Sequence, residues 1–408
     1  MKLNRAVQAL TVLGGALLVA WFRPAEGPAE PGSVARPAAP ASTAAVIAAG
    51  ASAVVQAAVA AGPAASAAPV DQERVEVCGV GKLRRSELDT GEGQQKPAWM
   101  QALDRQAEQG LADMLKRLEA GTLRQRVAGA VLGKDVQAAA QLAASSDDAA
   151  TYRIALLACR KDATYRQTYG YVSQQRARLA ASAAGRFEIP ELPVPGAVPS
   201  ACAALNLERL VLLDPGDAWP WLLRLNDAHG DEAAISQALY QVAQRRRLSA
   251  NTRALTATLA DVVGADPTPG ETWALISAIG TDAASNWDGS LVGVGRACRA
   301  EALRDANRRQ VCEQVARRAP DMAMDAMDSR VLHALEERLG LPHSPQALSR
   351  EDVDRALGGI TEASMRGMAE PTCAHVADMG RHVVKLAREG ELAGMRAYLK
   401  AAPASAPR

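Results

Sequence analysis

The stretch Cys298-Arg299-Ala300-Glu301-Ala302-Leu303-Arg304-Asp305-Ala306-Asn307-Arg308-Arg309-Gln310-Val311-Cys312 decides how the folded part of this chain is read. It joins two segments at helical spacing, Leu291 to Leu303 and Asn307 to Ala319. A single straight helix would hold the two cysteines about 21 Å apart, whereas a disulfide tolerates about 4.4 to 6.8 Å between Cα atoms. The chain must therefore turn between them. Asp305-Ala306-Asn307, at the midpoint, is a turn and amino-cap cluster. The reading is a helical hairpin closed by a Cys298–Cys312 bridge.

The same pattern extends outward. The sequence has two Phe, no convincing period-two run, and Ala, Leu, Arg, Gln and Glu at helical spacing throughout. The fold class expected is all-α, an irregular array of antiparallel helical hairpins with connections of about two to eight residues. Helices are predicted over 97–120, 148–160, 163–184, 202–213, 218–228, 231–247, 251–263, 271–279, 329–339, 350–357, 371–388 and 391–399. Pro190, Pro193, Pro195 and Pro199 prevent helix and sheet pairing between Gly185 and Ser200. That stretch divides an amino-terminal helical subdomain, 71–190, from a larger one, 200–401, with a short tail at 402–408.

Leu213-Asp214-Pro215-Gly216-Asp217-Ala218-Trp219-Pro220-Trp221-Leu222, followed by Ala228, Gly230-Asp231, Ala234 and Ala238-Leu239, resembles one degenerate tetratricopeptide repeat. The Asp-Pro start, the aromatic on a first helix, the Gly-Asp turn and the small residues carry the resemblance, over about thirty residues and in a single copy. Trp221 stands closer to Gly230 than that pattern has it. The resemblance implies a protein-binding or scaffolding role.

Six cysteines are an even number, and lasting disulfides belong to oxidising compartments such as the bacterial periplasm. Cys159 and Cys202 flank the Pro-rich stretch, and a bridge there would pin it. By elimination Cys78 would pair with Cys373 and tie the ends of the domain. Fifteen pairings are open to six cysteines, and six unpaired buried thiols are the alternative. No Cys-x-x-Cys occurs, so neither dithiol redox chemistry nor a zinc site of that type is indicated.

At the amino terminus Lys2 and Arg5 precede an uncharged apolar run, Ala6 to Phe22, stopped by Arg23-Pro24. Seventeen residues of helix reach roughly 25 Å, at the short end of what crosses a bilayer. With no good small-x-small cleavage site close behind, residues 1–23 read as a signal anchor; a cleaved signal peptide, giving a secreted or soluble periplasmic protein, is the alternative. Residues 24–70 are Ala, Pro, Gly, Ser and Val with few charges, a disordered linker. Ala44 to Ala61 is uncharged and long enough to span, but holds few Leu, Ile or Phe to drive insertion. The expected placement is the bacterial inner membrane, single-pass through residues 6–22, with the domain in the periplasm.

With 46 Lys and Arg against 45 Asp and Glu, the net charge of +1 excludes a strongly basic nucleic-acid surface. Arg245-Arg246-Arg247 reads as a cap at a helix carboxyl end. His375, Met379 and His382 fall at i, i+4 and i+7 on one helix, a spacing by which imidazole and thioether could hold copper, against an ordinary apolar stripe. Met322, Met324 and Met327 offer either a sulfur cluster or an adaptable interaction face. Trp219 and Trp221 complete a candidate interaction surface; with Trp273 and Trp287 they could also line a groove, although Trp221 and Trp273 read more like core anchors on helices. No phosphate loop, Gly-x-Ser-x-Gly or His-Glu-x-x-His is present. No cofactor is expected, and the leading expectation is a non-enzymatic, membrane-anchored periplasmic scaffold that binds another envelope protein. The alternative is a cell-wall-acting lytic enzyme using one Glu in a helical groove, with Glu271, Glu301, Glu336 and Glu337 as scattered candidates.

Overall fold

A computed structural model of the chain describes residues 74–88, 97–182, 194–245, 247, 253–283, 291–318, 325–344, 347–369 and 371–401. The anchor at 1–23, the linker at 24–70 with Ala44 to Ala61, Pro190, Pro193, Trp287, Met322, Met324 and the tail at 402–408 lie outside them. Among the described residues no helix is long and apolar enough to cross a membrane.

One departure from an all-helical reading stands at the start. Arg74–Val77 (β1) and Gly81–Arg84 (β2) form an antiparallel hairpin with Val75 opposite Leu83 and Val77 opposite Gly81. Arg-Val-Glu-Val alternates over only four residues, too short a run to stand out. Gly79, at φ +74°, makes the turn, a conformation glycine adopts without a Cβ penalty. The Cys78 amide donates to the Pro371 carbonyl at 2.8 Å, so the hairpin docks where a late helix begins.

The remaining elements are helices, most of them opened by a side chain that accepts an otherwise unpaired amide. A short α1, Arg85–Leu88, leads to α2, Ala98–Glu119. Next come α3, Leu123–Leu132, opened by a reciprocal Thr122–Gln125 capping box, and α4, Val136–Ala143, capped by Asp135. Sequence periodicity missed these two because their buried faces are Ala-rich: Ala128, Ala139, Ala140 and Ala143 are all inaccessible. The helices expected at 148–160 and 163–184 are one, α5, Ala149–Ser182, since neither Gly nor Pro interrupts Arg160 to Ala163.

The chain continues through α6, Leu207–Leu213, α7, Trp219–Asp227, α8, Glu232–Gln244, α9, Ala254–Val263, α10, Pro269–Ala283, and α11, Val292–Ala297. It ends with α12, Ala306–Arg318, α13, Ala326–Leu339, α14, Arg350–Ala369, α15, Cys373–Glu389, and α16, Glu391–Ala401.

The largest core runs from Val127 through Tyr152, Leu210, Trp219, Leu222 and Leu239 to Leu332 and Leu339. It therefore draws on both sides of the Pro-rich stretch. A second core joins α2, α3, α9, α10 and α15 around Met114, Leu118, Leu259 and Leu275. A third lies under α14 and α16, with Val353, Leu392 and Met395. Three disulfides fasten the array: Cys78–Cys373, Cys159–Cys202 and Cys298–Cys312, the last with Cα atoms 6.0 Å apart. Cys298 caps α11 and Cys312 lies on α12, with a 3₁₀ turn at Ala302–Arg304 between them. The reversal that the spacing required occurs at Asp305, whose carboxylate accepts the Arg308 amide.

Candidate functional site

The one grouping of three His, Cys, Asp or Glu side chains among the described residues that can share an ion is His333, Glu336 and His343. Its construction begins with helix spacing. His333 and Glu336 are three residues apart on α13, one above the other on the same face. Gly340, at φ +69°, then ends the helix in a left-handed turn in which the Leu341 amide reaches back to the Glu336 carbonyl at 2.9 Å. This reversal returns the chain over the helix end. The Ser344 amide donates to Glu336 Oε1 at 3.2 Å, and the His343 ring arrives beside both helical side chains.

Three donor atoms converge there. His343 Nδ1 is 3.0 Å from Glu336 Oε2 and 3.1 Å from His333 Nδ1, and His333 Nδ1 is 3.7 Å from Glu336 Oε2. The two rings meet edge to face, 4.8 Å between centroids. On its far side His333 Nε2 meets the Leu348 carbonyl, which only accepts, so Nε2 is a donor, and in the neutral ring Nδ1 presents its lone pair inward. The Glu336 side chain is 4 % exposed, whereas that of His343 is 52 % exposed. The cluster is closed toward the core and open toward water.

Along the chain Glu336 is one of several scattered carboxylates, not joined to the histidines by any motif. The signal was there as His-x-x-Glu with a His seven residues on, but seven residues across a helix end have no fixed geometry until the turn at Gly340 is known.

The other candidates fall elsewhere. Trp219 is a correction: at 1 % exposure it is a core anchor, covered by the Arg153 guanidinium 4.5 Å from its ring, and it belongs to no interaction surface. Trp221 is half-buried, packed against the largest core between Arg224 and Arg245, whose guanidinium carbons lie 4.8 and 5.5 Å from the ring. Met327 is half-buried in the first turn of α13. Cys373 is in a disulfide and offers no thiolate beside His375, Met379 and His382; of these His375 and Met379 are half-buried on α15 and His382 is exposed. Trp273 is half-buried in α10.

Among the carboxylates, Glu271 has a structural assignment. Its Oε2 accepts the Thr268 amide at 2.8 Å while Thr268 Oγ1 accepts the Glu271 amide, a capping box for α10, and Arg117 pairs with its other oxygen. Glu301 and Glu337 are exposed. Sequence reasoning did not single out Glu391, the first residue of α16. Burial pushes its carboxyl up to about 7, the nearby Asp325 adds to the rise, and Arg253 and the Ala326 amide oppose it. The described arginines of the basic run serve helix ends: Arg245 donates to the Pro215 carbonyl, and Arg247 pairs with Asp214.

Compared with protein-family models, with curated proteins and with solved structures, the chain matches none.

Proposed function

We propose that this chain is an envelope scaffold: a helical domain on the oxidising side of a bacterial inner membrane, held by the apolar run Ala6–Phe22 and the Pro- and Ala-rich spacer, that binds another envelope protein. One observation carries the reading. All six cysteines are paired, none is free, and the pairs span 295, 43 and 14 residues of sequence. Frameworks of this kind persist outside the reducing cytoplasm.

The partner-binding part of the proposal rests on the α7–α8 hairpin that resembles a tetratricopeptide repeat. It presents Trp221 between two guanidiniums, and aromatic and Arg side chains are those over-represented at interface centres. Thiol alkylation of the intact, unreduced protein tests the compartment: none of the six cysteines should react, and labelling of four or more would overturn it. Photo-crosslinking in cells from position 240, where Tyr240 of α8 is exposed, tests the partner, which should be one envelope protein recovered reproducibly and lost when Trp221→Ala is added.

Glu391 gives the lytic-enzyme alternative its one specific support, because a carboxyl raised to about 7 suits a general acid. Its Oε2, however, faces Arg253 at 3.8 Å at a helix junction. Glycan turnover by purified protein, abolished by Glu391→Gln, would replace the scaffold reading.

A further inference from the structure

We propose that His333, Glu336 and His343 form a zinc site with three protein ligands and one position open to solvent. A tetrahedral ion bound by nitrogen and oxygen at about 2.0 to 2.1 Å places its ligand atoms about 3.3 to 3.4 Å from one another. The three edges of this triangle, 3.0, 3.1 and 3.7 Å, bracket that value without any rearrangement.

With both rings neutral, His333 turns a lone pair inward because its Nε2 proton is committed to the Leu348 carbonyl. Glu336 Oε2 is an acceptor, and its other oxygen is occupied by the Ser344 amide. The single proton available among the three inward atoms is the one on His343 Nδ1, shared between two acceptors. A divalent cation satisfies all three at once, provided that His343 moves its proton to Nε2, which faces outward from the cluster. No proton need leave the protein.

Two of the three ligands are held from behind. A metal-bound imidazole ordinarily donates its other N–H to a carbonyl or carboxylate, and a ligating carboxylate is itself hydrogen-bonded. His333–Leu348 and Glu336–Ser344 are those two supports. Two imidazoles and a carboxylate suit zinc; calcium and magnesium prefer all-oxygen shells, and copper(I) prefers sulfur. The half-exposed His343 leaves the fourth position to water, the arrangement of an open rather than a closed zinc site.

The test uses the full-length protein without a histidine tag and with its disulfides intact, so that no thiolate competes. Titration with Zn²⁺ against a chromophoric chelator should show one tight equivalent. His343→Gln, a change at a half-exposed position, should keep the circular dichroism of the parent and weaken zinc by more than about 100-fold, beyond the usual cost of losing a supporting residue. Long-range ¹H–¹⁵N spectra should show His343 change from the Nδ1–H to the Nε2–H tautomer as zinc is added. Glu336→Gln, read the same way, guards against a folding defect in the first variant. No zinc equivalent, an equivalent indifferent to both variants, or binding of Cu²⁺ or Ni²⁺ without zinc would each overturn the proposal.

Discussion

Arg153 lies wholly buried, with its guanidinium against the Trp219 ring and paired with Asp217. Asp217 Oδ1 also accepts the Trp219 amide at 3.0 Å, so one carboxylate starts α7 and neutralises the core cation. Taking the partner from a buried charge costs more than the pair contributes. Asp217→Ala should therefore destabilise by about 3 to 5 kcal/mol, and Arg153→Met with Asp217→Leu by much less; urea denaturation of the two variants decides it. Glu391 makes a pH prediction. Its folded carboxyl is raised from 4.5 to about 7, so folding favours the protonated form. The stability it contributes is complete below pH 4.5 and is lost as pH rises through about 7, by about 2 to 3 kcal/mol. Glu391→Gln should flatten that part of the stability–pH curve, and an unchanged slope would contradict the assignment.

At the scale of elements, two glycines far apart in sequence bring two helices into backbone contact. A Cβ on Gly110 of α2 would lie 2.2 Å from the Gly270 carbonyl carbon at the start of α10, and one on Gly270 would lie 2.5 Å from the Gln106 carbonyl oxygen. The two backbones touch with no side chain between them. Gly110→Ala should force the helices apart and cost about 1 to 3 kcal/mol despite alanine's better helix propensity, read as a lower urea midpoint. Nothing in the local sequence separates Gly110 from a replaceable helix glycine. The amino caps follow a local rule: Asp231 before α8 and Thr372 before α15 each accept an amide at the start of their helix. The turn at Asp305 was legible because a bridge between two cysteines fourteen residues apart excludes a straight path between them.

Over the whole molecule, the cross-links and the cores join parts that are distant in sequence. Cys78–Cys373 closes 295 residues and docks the β-hairpin on the start of α15. In the chain-entropy account, a loop that long contributes about 6 kcal/mol, against about 3 for the fourteen-residue loop. Replacing Cys78 and Cys373 by Ala should therefore lower the midpoint of unfolding more than replacing Cys298 and Cys312, and equal losses would count against that account. By itself the sequence determined the helical class and the place of the turn at Asp305, since spacing and turn residues are local constraints, and it favoured the three pairings without excluding the others. It did not determine that Trp219 is wholly buried while Trp221 is only half-buried, that Gly110 meets Gly270, or that His333, Glu336 and His343 converge. Those depend on the direction in which each chain segment leaves its helix. That direction is set by contacts between residues far apart in sequence, which only the packed tertiary structure supplies.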